Sequence, residues 1–465
     1  MLLERIYDED LAQASYMIGC QAKGEALVVD PRRDIQVYLD LAARHGLTIT
    51  AVTETHIHAD FLSGTRELAA ATGATAYVSG EGGEDWTYGF DAELLHDGGT
   101  ITLGNITVTA KHTPGHTPEH LAYLVTDGAV TDQPGYYLTG DFVFSGDLGR
   151  PDLLDEAAGY QDTRFAGAKQ LFASLKHAFI DLGDHIQVFP GHGAGSACGK
   201  ALGALPSTTV GYERKFAWWA TYLENDDEQG FIEELLDGQP DAHAYFARMK
   251  RQNKQGPAIM GERPVPQEVS ATQLSTGMAD GSLALVDTRP VEEVHAGTVP
   301  GALSLPNLGK AATHIGWAFD PESDDAELVV LAPDAETASE WSDHFVRVGV
   351  DRLTGYLPSL EELELSAPAV VAPADLAALR ESEPEDYLLD VRNRSEHAAG
   401  TIPGAEQLSA GKVLFHQDQL PEGTKLITFC QSGQRNTVAS SALRRAGWDV
   451  VELQGSYGAW EKEQG

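Results

Sequence analysis

The stretch His56-Ile57-His58-Ala59-Asp60-Phe61 sets three potential metal ligands two residues apart. It follows Thr48-Ile-Thr-Ala-Val-Thr53, a β-branched run that predicts a strand. In an extended segment, residues two apart point to the same side, so His56, His58 and Asp60 can all face one ion. Further loops add ligand types after separate strands: His116 in Thr-Pro-Gly-His-Thr, Asp141 in Thr-Gly-Asp and His192 in Pro-Gly-His-Gly. A lone histidine is more often a hydrogen-bonded structural residue. Four such loops in this order predict a metal site.

Around these loops, short apolar runs alternate with helical patterns. Ala26–Val29, Tyr136–Leu138 and Ile186–Phe189 read as strands, and Ile35–Ala43 and Phe165–Leu182 as helices. Gly104-Asn105 separates two alternating runs within Thr100–Thr109 and predicts a hairpin. The expectation is an α/β sandwich with a metal site on its loops. Residues 251–270, rich in Gln, Gly and Pro, read as a linker.

Beyond that linker the sequence repeats. Asp287-Thr-Arg followed by Ala-Gly-Thr-Val-Pro-Gly-Ala302 matches Asp390-Val-Arg followed by Ala-Gly-Thr-Ile-Pro-Gly-Ala405. The copies lie 103 residues apart, a domain-sized duplication. Each has a later apolar strand, Leu328–Leu331 or Leu426–Phe429, and then a helix. In the second copy the strand leads into Cys430-Gln431-Ser432-Gly433-Gln434-Arg435 and a helical run from Thr437 to Arg445. A cysteine between a strand end and a helix start meets free backbone N–H groups, which favour a thiolate or persulfide anion. Arg435 can close the loop and add positive charge. In the first copy, Ala332-Pro333-Asp334 offers no cysteine, and proline removes an N–H that an anion cradle needs.

The remaining thiols differ. Cys20 reads as a core residue. Cys198, six residues after His192 and near Lys200, has two readings: a thiol near the metal with a depressed pKa, or a small buried residue in a Gly-rich turn. Three distant cysteines make no disulfide framework and fit a reducing cytoplasm. With 32 Lys plus Arg against 70 Asp plus Glu, the net charge of −38 argues against binding nucleic acid or an anionic membrane. No apolar run is long enough to cross a membrane, and the N-terminus lacks a signal-peptide pattern.

The ligand loops resemble the metallo-β-lactamase superfamily, whose hydrolases, including the glyoxalase II type, hold two metals with His-x-His-x-Asp-His. Here the last position is Phe61. That departure, with Gly149-Arg-Pro-Asp152 and Thr208-Thr-Val-Gly-Tyr-Glu213, makes the chain similar to persulfide dioxygenases. The resemblance implies one Fe(II) per chain held by His56, His116 and Asp141, oriented by His58, Asp60 and His192. It also suggests substrate contacts at Arg150 and Tyr212, whose plain reading is packing or surface pairing. The second copy resembles the rhodanese sulfurtransferases, with Cys430 and Arg435 catalytic and Gln431, Ser432, Gly433 and Gln434 forming the persulfide loop. Phosphatases of similar topology carry their arginine one residue further on, so this loop suits sulfur better than phosphate.

The expected architecture is therefore an αββα sandwich over 1–255, a rhodanese-like domain without its cysteine over 266–364, and a rhodanese domain over 370–465. The resemblance implies oxidation of a small thiol persulfide by O₂ to sulfite, with sulfur transfer giving thiosulfate, in the service of sulfide detoxification. Either activity can come first, and the carrier thiol stays open. Three domains on short linkers suggest a homo-oligomer. Two rival expectations are a dinuclear zinc thioester hydrolase with a tethered sulfurtransferase, and a non-catalytic metal-binding sulfur carrier.

Overall fold

A computed structural model describes residues 1–153, 155 and 163–464, so the predicted end at residue 465 lies outside the described residues. The chain divides into an N-terminal unit, Met1–Ala242 with Phe246–Glu262, and a C-terminal unit, His243–Tyr245 with Arg263–Gly465.

The N-terminal unit is built on two six-stranded sheets. The first contains β1 (Leu2–Asp8), β2 (Gln13–Cys20), β3 (Glu25–Val29), β4 (Thr48–Thr53), β5 (Thr75–Ser79) and β6 (Glu93–Leu95), side by side in that order. The second contains β7 (Thr100–Leu103), β8 (Ile106–His112), β9 (Leu121–Asp127), β10 (Tyr136–Gly140), β11 (Gln187–Pro190) and β12 (Thr208–Thr209), again in chain order. Strand alternation divides their side chains between two faces. Tyr16, Ile18, Leu27 and Val29 meet Ile106, Val108, Tyr123 and Leu138 between the sheets. Met17, Val28 and Val52 face outward onto Tyr38, Leu41 and Leu68 of the helices Gln36–His45 and Thr65–Thr72. Ala122, Tyr137 and Val188 likewise meet Leu171, Leu175 and Phe231 on the helices of the opposite side. This is the αββα sandwich expected, with hairpin β7–β8 at Gly104-Asn105 as read.

The linker expectation over 251–270 needs correction. The helix Phe246–Gln255 runs through its beginning, and the chain up to Gly261 is tied to the N-terminal unit. Arg66 donates to the carbonyls of Gly256 and Pro257, and Glu67 accepts the N–H groups of Met260 and Gly261. Polar composition suggested a linker because these contacts are made by backbone groups, whose partners composition does not reveal.

The C-terminal unit holds two wholly parallel five-stranded sheets. The first uses β13 (Gln267–Glu268), β14 (Leu283–Asp287), β15 (Leu303–Ser304), β16 (Glu327–Leu331) and β17 (Leu353–Leu357), in the order β13-β17-β16-β14-β15. The second uses β18 (Val370–Val371), β19 (Tyr387–Asp390), β20 (Glu406–Gln407), β21 (Leu426–Phe429) and β22 (Val450–Leu453), in the corresponding order β18-β22-β21-β19-β20. The sequence repeat is repeated in contacts. Arg289 grips Asp287 and donates to the carbonyl of Gly297 at 2.8 Å, as Arg392 grips Asp390 and reaches Gly400 at 2.7 Å.

Candidate functional site

The ends of β4 and β10 and the loops after β8 and β11 bring the predicted ligands together. His56 Nε2 and His116 Nε2 lie 3.9 and 3.5 Å from Asp141 Oδ2. Ligand atoms of His56, His116 and Asp141 all fall within 4.8 Å of one another, and all three residues are buried. The remaining hydrogen bonds say what these atoms face. Thr55 Oγ1 spends its proton on Asp30, so it accepts from His56 Nδ1 at 3.0 Å. His116 Nδ1 donates to the Arg150 carbonyl at 2.9 Å. Both rings therefore turn unprotonated Nε2 atoms toward a carboxylate whose two oxygens lack hydrogen-bond partners. Lone pairs facing lone pairs in a buried site repel unless a cation lies among them, so this donor set fits a metal ion. Burial pushes His56 and His116 below the ordinary imidazole range, with neighbouring imidazoles adding to it at His56, which keeps both neutral as ligands must be.

Two glycines make this approach possible. A side chain at Gly149 would meet the Asp141 carbonyl at 1.8 Å. Gly140 has φ +50, and its missing Cβ leaves room for Thr55 and His120.

A second group stands on the other side of Asp141. His192 Nδ1 donates to the Ala12 carbonyl at 3.1 Å, leaving Nε2 3.4 Å from Asp60 Oδ2 and 3.5 Å from Asp141 Oδ1. Asp60, His192 and Cys198 also have ligand atoms within 4.8 Å of one another. His58 is turned away: its Nε2 bonds Asp30 Oδ1 at 2.9 Å, and although burial opposes it, Asp30 raises His58 to about 9. Phe61 is fully buried with its ring 4.5 Å from that of His58.

Two expectations are corrected, a depressed thiol pKa for Cys198 and a substrate contact for Arg150. Cys198 does lie beside the cluster, but its thiol pKa is raised, not depressed, because burial and the carboxylates of Asp141 and Asp60 disfavour the anion. Lys200 is no neighbouring cation for it, since its ammonium binds the carboxylate and carbonyl of Glu234 and the Asp237 carbonyl. Arg150 is wholly buried, paired with Asp152 and donating to the carbonyls of Ala197 and Pro240, so its guanidinium braces loops. Tyr212 sits 54% exposed, its ring against Phe216. Sequence reasoning overlooked His120, which accepts the Asp141 N–H through Nε2 and bonds Thr113 through Nδ1. It also overlooked Asp30 and Asn253, a buried amide that accepts the Ser63 N–H and donates to the carbonyls of His58 and Phe61.

In the C-terminal unit, Cys430 directly follows β21 and is 1% exposed. Its Sγ accepts the Gly433 N–H at 3.1 Å, and Ser456 Oγ accepts the Cys430 N–H at 3.2 Å. Gln431 is exposed but receives a hydrogen bond from Arg392 at 3.2 Å; Ser432 and Gln434 are exposed and Gly433 is buried. The Arg435 guanidinium forms two bonds, 2.7 and 2.8 Å, with Glu396, a partner that sequence reasoning missed. In the first half, Asp334 caps the helix Ala335–Arg347 by accepting the Thr337 N–H at 2.8 Å. The chain's own carboxylate thus takes a donor near the start of the helix that follows β16.

Residues 8–192 match the metallo-beta-lactamase superfamily, and residues 372–463 match the rhodanese-like domain. The crystal structure of a metallo-beta-lactamase from Staphylococcus aureus subsp. aureus COL is 36% identical with a TM-score of 0.66, covering 77% of this chain and 98% of its own. An uncharacterized protein of Mycobacterium leprae is 30% identical over 224 residues, 43% of this chain and 90% of its own length. The mitochondrial persulfide dioxygenase of Bos taurus is 24% identical over 200 residues, 41% of this chain and 68% of its own. Among the described residues, no helix is long and apolar enough to cross a membrane.

Proposed function

The chain belongs to the metallo-β-lactamase superfamily and carries a rhodanese-like domain toward its C-terminal end; from that premise we propose that it oxidises a small thiol persulfide with O₂ to sulfite and transfers sulfane sulfur through Cys430 to form thiosulfate. The observation that carries this reading is the His56, His116 and Asp141 set, beside which the imidazole of a dinuclear hydrolase is replaced by buried Phe61. Two imidazoles and one carboxylate suit a single Fe(II), which when bound supplies redox chemistry at positions open to O₂ and sulfur. His116 is held at the ring angle that its bond to the Arg150 carbonyl fixes, and His120 anchors the Asp141 backbone. Phe61, buried against the His58 ring, offers no ligand atom where the dinuclear hydrolases carry an imidazole.

At Cys430 the Gly433 N–H bonds the sulfur, and Glu396 keeps Arg435 fixed beside the loop. We read residues 266–364 as a second rhodanese-like copy that has lost its chemistry, since Ala332-Pro333-Asp334 has no nucleophile and Asp334 serves as a helix cap. The combined activity fits sulfide detoxification in a reducing cytoplasm.

One observation favours the zinc thioester hydrolase instead: Asp60, His192 and Cys198 stand within reach of a second ion. Metal analysis of protein purified without oxygen, with parallel assays of persulfide-dependent O₂ uptake and thioester turnover, separates the two. One iron and O₂ uptake support the dioxygenase; two zinc ions and thioester turnover overturn it.

A further inference from the structure

Strand β22 lies beside β21 in the second five-stranded sheet, and the two run parallel. The chain leaving β22 therefore arrives next to the chain leaving β21, where Cys430 stands. Hydrogen bonds fix the arrival. The Tyr457 N–H donates to the Cys430 carbonyl and the Gly458 N–H to the Gln431 carbonyl, each at 3.0 Å. Both donors belong to the first turn of the helix Ser456–Gln464, whose N–H groups find no carbonyl within their own helix. They hold Ser456 against the cysteine.

Ser456 has φ +59 and is fully buried. A side chain in the left-handed region is uncommon and strained, whereas glycine occupies it freely, as Gly455 does next door at φ +66. Strain kept at a buried position directs attention to what the side chain does there. The Ser456 hydroxyl meets Cys430 twice. Its Oγ accepts the Cys430 N–H at 3.2 Å and lies 3.8 Å from Cys430 Sγ. Accepting the N–H uses a lone pair and leaves the hydroxyl proton to turn toward the sulfur. That sulfur already accepts the Gly433 N–H at 3.1 Å.

We propose that Ser456 is a further catalytic residue of sulfur transfer, its hydroxyl donating to Cys430 Sγ when that sulfur carries the negative charge. The proposal rests on the sulfur-transfer reading above. In loading, Cys430–S⁻ attacks the outer sulfur of thiosulfate; one S–S bond forms, the S–S bond to the sulfonate breaks, and sulfite leaves with the electron pair. Cys430–S⁻ and S₂O₃²⁻ become Cys430–S–S⁻ and SO₃²⁻, with no external oxidant. In discharge a nucleophile takes the outer sulfur, and the pair of the broken S–S bond returns to Sγ. The persulfide carries its charge on the outer sulfur and the thiolate on Sγ, so a donor at Sγ favours the thiolate and makes Cys430 the better leaving group. A glycine in place of Ser456 would relax the backbone and lose this donor.

The test compares the full-length protein with Ser456→Ala and Ser456→Gly. Alanine keeps the strain and loses the hydroxyl; glycine loses both, and it adopts this φ without cost, which secures the fold. Each protein is loaded with sulfur from thiosulfate, followed as a one-sulfur mass gain, and discharged with cyanide while thiocyanate release is timed. Discharge is expected to slow about tenfold in both variants, the worth of one hydrogen bond to a charged group. Alkylation of Cys430 by iodoacetamide, read by mass spectrometry on its own peptide, should move its pH profile up by about one unit in both. Failure of the wild-type protein to load would sink the sulfur-transfer reading itself. Discharge at the wild-type rate, slowing with an unmoved pH profile, or slowing in alanine that glycine restores overturns the Ser456 assignment alone.

Discussion

Asn253→Ala removes one buried side chain and strands three backbone groups at once. Its Oδ1 accepts the Ser63 N–H at 2.9 Å, and its Nδ2 donates to the His58 carbonyl at 2.8 Å and the Phe61 carbonyl at 2.7 Å. A buried polar group left unpaired costs about 1–3 kcal/mol. Water entering the space can re-satisfy part of the set, so the turn from His56 to Ser63 should lose about 3–5 kcal/mol of local stability. At about 1.4 kcal/mol per decade, that lowers hydrogen-exchange protection there by roughly a hundred- to a few-thousand-fold. The assay is hydrogen exchange by mass spectrometry on the full-length chain, reading peptides that span residues 56–66 against peptides of β19 to β22. Asn253→Asp keeps the acceptor for Ser63 and loses both donors, so it should fall between wild type and alanine. A loss below about tenfold, or one equal in the two regions, would refute the view that Asn253 holds the ligand turn in place.

Phe61→His should restore the missing donor beside Asp60 and His192; metal analysis is expected to rise from about one ion per chain to about two, and an unchanged count would contradict the role given to Phe61. Cys430→Ser should leave persulfide-dependent O₂ uptake intact and stop thiosulfate formation; equal thiosulfate yield would remove the two-site account. Asp390 and Glu452 should shape the acid limb of the C-terminal unit. Burial opposes ionisation in both, but Arg392 at Asp390, and His295 and Arg444 at Glu452, hold their carboxyls below the ordinary range. Their contribution is complete above the unfolded-chain value of about 4 and is lost as pH falls through the lower folded values. Asp390→Asn should flatten this dependence in denaturant midpoints measured below about pH 4; an unaltered slope would contradict it.

Local signals explain what could be read from the sequence. The β7–β8 hairpin was marked by Gly104, whose φ of +56 suits the turn, and β4 by its β-branched run. The repeated Asp-x-Arg and Pro-Gly-Ala elements announced two halves with the same strand order. The candidate metal ligands stood in short loops whose spacing carried chemistry. The strand β2 escaped notice because it is buried on both faces and lacks polar alternation. His120, Asp30 and Asn253 were illegible for another reason: each acts through contacts distant in sequence and belongs to no spaced motif. Asn253 meets His58 across 195 residues, and Glu396 meets Arg435 across 39. Arg150 shows the reverse case, since the family resemblance suggested a substrate contact and its partners instead bear out the plain reading of packing.

The most direct measurement is metal content and O₂ uptake on one preparation, purified without oxygen and supplied with a small thiol persulfide, alongside Asp141→Ala. The account predicts about one iron per chain, uptake that depends on the persulfide, and loss of both metal and uptake in the variant. Two zinc ions without uptake, or uptake that survives Asp141→Ala, would contradict it.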